Sequence, residues 1–354
     1  MNYKDLGYNN YFEKYKIENN LDSFEVGRVI SEHKERYVVK TPTQEYDAEL
    51  IGNLRFTAES RYDFPAVGDW VAFSEYDDEK ALIHAIYPRK SIIERQAVGK
   101  TGQVQIIATN IETVLIVQAV DRDFNLNRLE RYLTICNASK VEPIIVLSKI
   151  DLIDETKLES MLEQINLRIK NVPIIKVSNQ TKGYEQLKAI IEKGKTYCLL
   201  GSSGVGKSTL LNALAGSNQM KTGEISTSVN KGKHVTSHRE LIVLESGGII
   251  IDNPGMREVG IADTNKGLEM TFDTIFEYAK NCRFKKCTHL HESGCAVISA
   301  VENGEIDEDS YENFRKMEKE KMHFESDIQE RKKKDKDFGK MVKNFKKQRK
   351  EGKY

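Results

Sequence analysis

The feature that most constrains this chain is a glycine-rich segment that begins at Gly201 and matches G-x-x-x-x-G-K-[S/T]. It follows the apolar run TYCLL and precedes the helix-forming run TLLNALAG. A strand, a glycine-rich turn and a helix in this order direct backbone N–H groups and a helix N-terminus at phosphates. We therefore predict an α/β domain in which Lys207 reaches the outer phosphates and Ser208 ligates Mg²⁺. This predicted phosphate loop consists of Gly201, Ser202, Ser203, Gly204, Val205, Gly206, Lys207 and Ser208.

Two downstream residues could complete a triphosphate site. The apolar run Ile249–Ile251 leads into Asp252 and, after two residues, Gly255. We predict that Asp252 holds Mg²⁺ through water and that the Gly255 N–H meets the γ-phosphate. Thr236 lies between the two motifs, where a switch loop could place its hydroxyl on Mg²⁺. A plain β-turn at Asp252 and an ordinary exposed Thr236 are the alternatives.

A second pair of strand ends carries a possible base-reading site. Ser148, Lys149 and Asp151 follow the apolar run PIIVL and match N-K-x-D except at the first position. A carboxylate at Asp151 accepts from guanine N1–H and the exocyclic amine, whereas adenine offers an acceptor at N1. Lys149 would lie along the base, and Ser178 would belong to the loop that closes over it. Ser148 lacks the amide that ties this loop to the phosphate loop, so we expect looser guanine selectivity.

The base-reading loops at 148 and 178 precede the phosphate loop, which reverses the usual order. In a doubly wound sheet all of these loops lie at the carboxyl ends of strands, so a permuted chain can rebuild the same site.

The cysteines point to a metal. Of the five, Cys282, Cys287 and Cys295 fall within fourteen residues, with His289 and His291 between them. Three thiolates and one imidazole at this spacing suit a closed tetrahedral Zn²⁺ site, which is structural. We expect the segment to have little core of its own and to unfold without metal.

The motifs together resemble the circularly permuted, small-ribosomal-subunit-dependent GTPase family, the RsgA/YjeQ type. The resemblance spans about residues 24–300 and includes GDWV from Gly68, DFN from Asp123, GSSGVGKST ending at Thr209, DNPGMRE from Asp252, and the cysteine cluster. It implies three domains: an OB-fold (residues 1–104 with an N-terminal extension), a permuted GTPase domain (105–268) and a zinc-binding helical domain with a basic tail (269–354).

The resemblance also implies site roles. It favours His289 as the fourth zinc ligand, and it adds Thr209 to the nucleotide site. Met256 stands where classical GTPases carry a water-orienting Gln, and a thioether cannot orient water. The resemblance therefore points to His234 for positioning the attacking water, with His238 a weaker substitute. Ser148, Val235 and Asn253 depart from the family pattern without removing a group that the chemistry requires.

Patterning outside these motifs fits the same organisation. Short β-forming runs from Glu25 to Arg95 predict a small antiparallel barrel, and alternating apolar and helical segments from Ile106 to Gly260 predict a parallel sheet covered by helices. The net charge is zero, but residues 331–354 hold 12 Lys and Arg against three Asp and Glu, a predicted helical tail that suits a polyanion. Candidate RNA contacts on the barrel are Arg28, Arg36, Arg55, Arg61 and Tyr62.

The sequence thus predicts a slow GTP hydrolase, stimulated by the small ribosomal subunit, that acts as a checkpoint in late subunit maturation by binding rRNA. Its expected cofactors are GTP or GDP, Mg²⁺ and one Zn²⁺ per chain. With no apolar span or signal core, we expect a cytoplasmic monomer without membrane contact. Two alternatives stay open: a nucleotide-gated rRNA clamp with negligible hydrolysis, and an ATP-specific P-loop enzyme.

Overall fold

The computed structural model describes residues 1–33, 35–97, 103–121, 123–178, 183–216, 239–253 and 265–350. Its strands are β1 (Glu25–His33), β2 (Arg36–Lys40), β3 (Glu45–Leu50), β4 (Trp70–Asp77), β5 (Lys80–Ile86), β6 (Ile92–Gln96), β7 (Val104–Thr109), β8 (Thr113–Ala119), β9 (Glu142–Ser148), β10 (Ile174–Lys176), β11 (Thr196–Leu200), β12 (Glu240–Val243) and β13 (Ile249–Asp252). Its α-helices are α1 (Asn10–Glu18), α2 (Gly52–Thr57), α3 (Leu126–Ser139), α4 (Glu155–Arg168), α5 (Tyr184–Ala189), α6 (Lys207–Ala215), α7 (Asn265–Thr271), α8 (Asp273–Ala279), α9 (Ala296–Glu302) and α10 (Glu308–Lys350).

Strands β1 to β5 close into a barrel. The pairing order is β1-β2-β3-β5-β4, and β4 returns to pair with β1. All pairs are antiparallel except β3 with β5. In β3 the side chains alternate, so that Tyr46 and Ala48 face the barrel core while Asp47 is exposed. This is the topology of a five-stranded OB-fold, and it confirms the barrel predicted from the sequence.

The first residues of the chain pack against the barrel. Leu6 and Phe12 are buried, and the Phe12 ring lies 5.8 Å from the indole of Trp70 in β4. An ion pair of 2.9 Å joins Asp5 to Lys193, which precedes β11. The N-terminal segment therefore contacts both the barrel and the following sheet.

The central domain is a doubly wound sheet. Parallel strands β10, β9, β8, β11 and β13 are neighbours in that order, with antiparallel β12 at the far side. Every residue of β8 is buried, and its side chains alternate between two cores: Val114 and Ile116 pack with α3 and α4, while Leu115 and Val117 pack with α5 and α6. A sheet covered on both faces explains the continuous apolar runs and confirms the predicted α/β fold.

Barrel and parallel sheet are joined edge to edge. Ser31 of β1 pairs with Glu240 of β12, so in the described residues the two sheets form one hydrogen-bonded array. The sequence patterns did not predict this connection, because the alternation of side chains within a strand is the same whichever strand lies beside it.

Helices α7 to α10 form the C-terminal domain. Their core contains Leu268, Met317, and the rings of Phe272 and Phe314, which meet edge-on at 5.4 Å. The expectation that this domain has little core of its own was therefore wrong. The apolar residues of this core are spread over four separate helices. No single helix is apolar enough for its sequence to predict a core.

Helix α10 is the longest element, with 43 residues and a length of about 65 Å. It includes residues 331–350 of the predicted basic tail and confirms that this part is helical. Among the helices in the described ranges, none has the length and hydrophobicity needed to cross a bilayer.

A buried polar cluster fastens the C-terminal domain to the central sheet. Glu130 of α3 is 1% exposed, and its carboxylate accepts from the Arg168 guanidinium at 2.7 and 3.0 Å. It also accepts from Ser310 Oγ at 2.7 Å and Asn313 Nδ2 at 2.6 Å, both on α10. This Glu130 cluster joins α3, α4 and α10 through one carboxylate.

Replacing Arg168 by Ala should lower the free energy of unfolding by about 3–5 kcal/mol, because a buried carboxylate loses its counter-charge. Denaturant titration measures this loss. Arg315→Ala is the matched control: its pair with Glu312 is exposed and should contribute less than about 1 kcal/mol. A double variant that also carries Glu130→Ala should recover part of the loss. Equal effects of the two single Arg variants would contradict the prediction.

Candidate functional site

The phosphate loop connects β11 to α6, as predicted. Gly201, Gly204 and Gly206 have φ values of 153°, 85° and 99°, a region that favours glycine. A Cβ on Gly201 would lie 2.4 Å from the Val117 carbonyl oxygen at the end of β8, so the loop can approach that strand only without a side chain. The helix then begins at Lys207. Sequence and backbone geometry agree on an anion-binding turn.

Lys207 is buried at the base of this loop. Its Nζ donates to the carbonyls of Gly201 and Ser202, both at 2.7 Å. Burial lowers the pKa of Lys207 to about 8, and the nearby Asp252 and Asp123 oppose that shift. The ammonium is thus held where phosphate oxygens can replace the two carbonyls.

Asp252 ends β13 beside the phosphate loop. Burial raises its carboxyl pKa, an effect that Lys207 opposes. Its Oδ1 atom is buried and, in the described part of the chain, has no hydrogen-bond partner. Ser208 is half-buried one residue after Lys207. An unsatisfied carboxylate oxygen and a hydroxyl near the phosphate loop fit Mg²⁺, a cation that takes oxygen ligands and keeps several waters.

Ser148 corrects one expectation. Its hydroxyl is buried and donates to the carbonyl of Val205 in the phosphate loop at 2.6 Å. The base-reading loop is therefore tied to the phosphate loop, although the residue is Ser and not Asn. The short serine side chain reaches because the ends of β9 and β11 flank β8 on the same edge of the sheet.

The other base-reading residues also meet. The hydroxyl of buried Ser178 donates to Oδ1 of Asp151, which is exposed. Lys149 adopts φ 58°, and its Nζ forms a 2.8 Å ion pair with Asp121. Ser178 thus orients one carboxylate oxygen of Asp151, and the carboxylate can still accept further hydrogen bonds.

Asp121 was missed by the sequence reasoning. It lies two residues beyond the end of β8, the strand between β9 and β11, and so borders both loops. The signal that could have identified it was present: polar residues directly after a buried parallel strand belong to the ligand edge of the sheet.

His234, Thr236 and Gly255 lie outside the described residues, as do His238 and Met256. Their predicted contributions to Mg²⁺ binding, γ-phosphate contact and water positioning stay predictions.

The metal cluster is compact. The donor atoms of Cys282, Cys287, His289 and Cys295 all lie within 4.8 Å of one another. Cys282 Sγ is 3.8 Å from Cys295 Sγ and 3.6 Å from His289 Nδ1. A tetrahedral zinc centre separates two sulfurs by about 3.8 Å and a sulfur from a nitrogen by about 3.6 Å. The geometry therefore fits Zn²⁺, and His291 is not part of the cluster in the described residues.

The barrel candidates divide into two groups. Arg28 was predicted to contact RNA, but it is 1% exposed, so that prediction was wrong. Arg61 contacts both carboxylate oxygens of Glu32 at 2.6 Å. Arg36 and Arg55 keep 81% and 67% of their side chains exposed.

Two further aromatic residues lie on the barrel surface near these arginines. Tyr62, a candidate from the sequence, is 42% exposed, and Phe56 of α2, which the sequence reasoning missed, is 91% exposed.

The site and its chain order define a class of protein. Phosphate and base-reading loops meet at the carboxyl ends of β9, β10, β11 and β13, with the base-reading loops first in the chain. This is a circularly permuted P-loop GTPase. The RsgA GTPase family model matches residues 86–262, and a 50S ribosome-binding GTPase model matches 196–338. The chain belongs to the RsgA GTPase family.

Individual relatives agree. The small ribosomal subunit biogenesis GTPase RsgA 1 of Bacteroides thetaiotaomicron is 37% identical over 91% of this chain and 90% of its own. The crystal structure of YjeQ from Thermotoga maritima is similar with a TM-score of 0.59 and 28% identity, over 82% of this chain and 96% of that one. YloQ, described as a circularly permuted GTPase, shares the fold with a TM-score of 0.57 and 24% identity, over 87% and 96% of the two chains.

The lowered pKa of Lys207 predicts how nucleotide affinity changes with pH. Below pH 8 the free protein already carries the ammonium that phosphate needs, whereas above pH 8 binding must take up a proton. The Kd for GDP should therefore rise about tenfold from pH 7 to pH 9. Fluorescence titration with labelled GDP at both values measures it, and Lys207→Ala should bind weakly with no such rise. Equal affinities of the unchanged protein at pH 7 and pH 9 would contradict this assignment.

Proposed function

We propose that this chain is a GTP hydrolase that acts in the late maturation of the small ribosomal subunit, binding rRNA in its GTP form and leaving after hydrolysis. The observation that carries the proposal is the meeting of a guanine-reading pair, Asp151 and Ser178, with a complete phosphate loop through the Ser148–Val205 hydrogen bond. Membership of the RsgA GTPase family and the name of the relative from Bacteroides thetaiotaomicron supply the ribosomal context.

At the phosphates, backbone N–H groups of the loop surround the β-phosphate, and Lys207 exchanges its two carbonyl partners for phosphate oxygens. Ser208 and Thr236 would hold Mg²⁺ directly and Asp252 through water, and the ion would neutralise charge developing on the phosphates. Ser202, Ser203, Val205 and Thr209 complete the phosphate contacts, and Gly255 would face the γ-phosphate.

For the attacking water, we assign His234 as the positioning group on the basis of the family resemblance, since the Met256 thioether cannot orient water. The small subunit would bring this imidazole to the water, so basal hydrolysis would be slow.

The remaining domains would hold rRNA. One Zn²⁺ on Cys282, Cys287, His289 and Cys295 would fix the loop between α8 and α9, a structural role. Exposed Arg36 and Arg55 and the Lys-rich tail would add salt-dependent attraction to phosphate. We also propose monomeric action and the domain division 1–104, 105–264 and 265–354, where the predicted boundary at 268 is moved so that α7 stays whole.

The direct test is phosphate release from GTP by the purified protein, alone and with equimolar small subunits. Strong stimulation that disappears in Lys207→Ala supports the proposal. Binding of the subunit without stimulation would instead favour a nucleotide-gated clamp. Competition by ATP that is stronger than that by GTP would favour an ATP-specific enzyme.

A further inference from the structure

Arg28 is too deeply buried to contact RNA, and its guanidinium has an unusual set of hydrogen-bond partners. Its Nη1 donates to the Leu6 carbonyl at 2.6 Å, and its Nε donates to the Gly68 carbonyl at 3.2 Å. Its Nη2 donates to the Asn110 carbonyl at 3.3 Å and to Thr196 Oγ1 at 2.9 Å. One side chain thus joins the N-terminal segment, the barrel, the turn before β8 and the first residue of β11.

None of these four partners carries a charge. The nearby carboxylates are engaged elsewhere: Asp69 with the Arg89 guanidinium at 2.7 Å, and Glu112 with the Thr196 N–H at 2.8 Å. The Trp70 ring lies 5.6 Å from the guanidinium carbon. A buried charge is weak evidence for stability, since an apolar side chain of similar volume often serves as well. Arg28 therefore calls for an explanation beyond stability.

The location of Thr196 supplies an explanation for the buried Arg28. It begins β11, and this five-residue strand leads directly into Gly201 and the phosphate loop. The adjacent β13 carries Asp252. Arg28 itself lies on β1, the barrel strand that also pairs with β12 through Ser31 and Glu240. If β1 moves, it therefore moves the start of β11 through Arg28 and moves β12 through Ser31. These two strands are the neighbours of β13 on its two sides.

We propose that Arg28, acting through Thr196, couples the position of the barrel to the phosphate loop, so that seating the barrel on rRNA is transmitted to GTP hydrolysis. Arg28 and Thr196 are positioning residues that touch no nucleotide. The inference rests on the proposed function, because it assigns the route by which the small subunit would stimulate hydrolysis. A displacement of about 1 Å in reacting groups can change a rate on the order of 10²-fold, so a short rigid strand is sufficient to carry the effect.

The test uses the full chain with Thr196→Val, which removes one hydroxyl at nearly constant volume. Thr113→Val is the matched control, since Thr113 pairs with Tyr197 on the neighbouring strand and has no role in the route. Basal GTP hydrolysis and small-subunit affinity should stay within about twofold of the unchanged protein for both variants. The stimulation factor should fall about fivefold or more for Thr196→Val alone. Thr196→Ser restores a hydroxyl that accepts from Arg28 Nη2, and it should recover the stimulation factor.

Hydrogen exchange separates this proposal from the proposed function. Small-subunit binding should slow exchange of the amides in residues 197–206 of the unchanged protein and leave them unaltered in Thr196→Val. If the unchanged protein binds subunits without stimulated hydrolysis, the proposed function fails. The difference in amide exchange between the unchanged protein and Thr196→Val still tests whether Arg28 and Thr196 couple the barrel to the phosphate loop. Equal stimulation factors, or equal exchange protection, in Thr196→Val and the unchanged protein would overturn the coupling.

Discussion

Chelation of the metal should open the loop between α8 and α9 while the helices around it stay folded. Residues 280–294 contain neither helix nor strand and are held by turns, by Cys282, Cys287 and His289 of the proposed metal cluster, and by the Tyr311 hydroxyl, which donates to the His289 carbonyl. Zinc binding contributes on the order of 10–16 kcal/mol in small zinc domains. Cys282 and Cys287 of the loop pack against the hydrophobic core of α7 to α10, but the buried members of that core lie outside residues 280–294, and we expect the core to survive.

Limited trypsin digestion measures this opening, because Lys280, Arg283, Lys285 and Lys286 are exposed within the loop. With zinc the loop should resist trypsin, and with a strong chelator it should be cut at these four residues. Cys287→Ser should be cut without chelator. GDP affinity, measured in parallel, should not change, since the nucleotide loops lie on the central sheet. Identical digestion with and without chelator would show that the loop does not depend on metal.

The parts of this molecule that sequence reasoning predicted are those in which neighbouring residues determine the structure. The phosphate loop was predicted because strand, glycine turn and helix are contiguous in the chain. The cysteine cluster was predicted because three thiols and an imidazole within fourteen residues can all reach one small ion. The barrel was predicted because strands with one buried face alternate.

What could not be predicted depends on residues far apart in the chain. Arg28 and Thr196 are 168 positions apart, and Glu130 and Asn313 are 183 apart. An arginine in a β-forming run looks exposed, since arginine is almost never fully buried without a partner. Two of the partners of Arg28, Asn110 and Thr196, belong to the central domain and are distant in the sequence. Ser148 shows the same limit, because only the adjacency of strand ends reveals that a hydroxyl can replace an amide.

Helix α3 connects these observations. Its Glu130 holds α10, and α7 packs along it so closely that a Cβ on Gly267 would lie 2.3 Å from the Thr134 carbonyl oxygen. Just before α3, Asp123 contributes to the electrostatics of Lys207. In the sequence, the segment after Asp252 leads directly into the domain that carries the cysteines. In the described residues, packing along α3 provides a second connection between the same two regions.

Asp151→Asn should exchange the base that this protein binds. The carboxylate accepts two hydrogen bonds from guanine, whereas an amide would direct one N–H against the guanine amine. A site that leaves a buried hydrogen-bonding group without a partner lowers the affinity for its ligand by a factor on the order of 10⁴. Xanthine carries a carbonyl in place of the amine, and the Asn amide can donate to it. Ser178 can still donate to the remaining oxygen of residue 151, so the loop should keep its conformation.

The measurement is the Kd of GDP and of xanthosine diphosphate for the unchanged protein and the variant. Asp154→Asn is the matched control, because Asp154 is a nearby exposed carboxylate that caps α4 and has no route to the base. We expect Asp151→Asn to prefer xanthosine diphosphate and Asp154→Asn to retain GDP. A variant that still binds GDP tightly would mean that the base is read by backbone groups and not by the Asp151 carboxylate. The Ser148–Val205 hydrogen bond would then be the contact that fixes the reading loop.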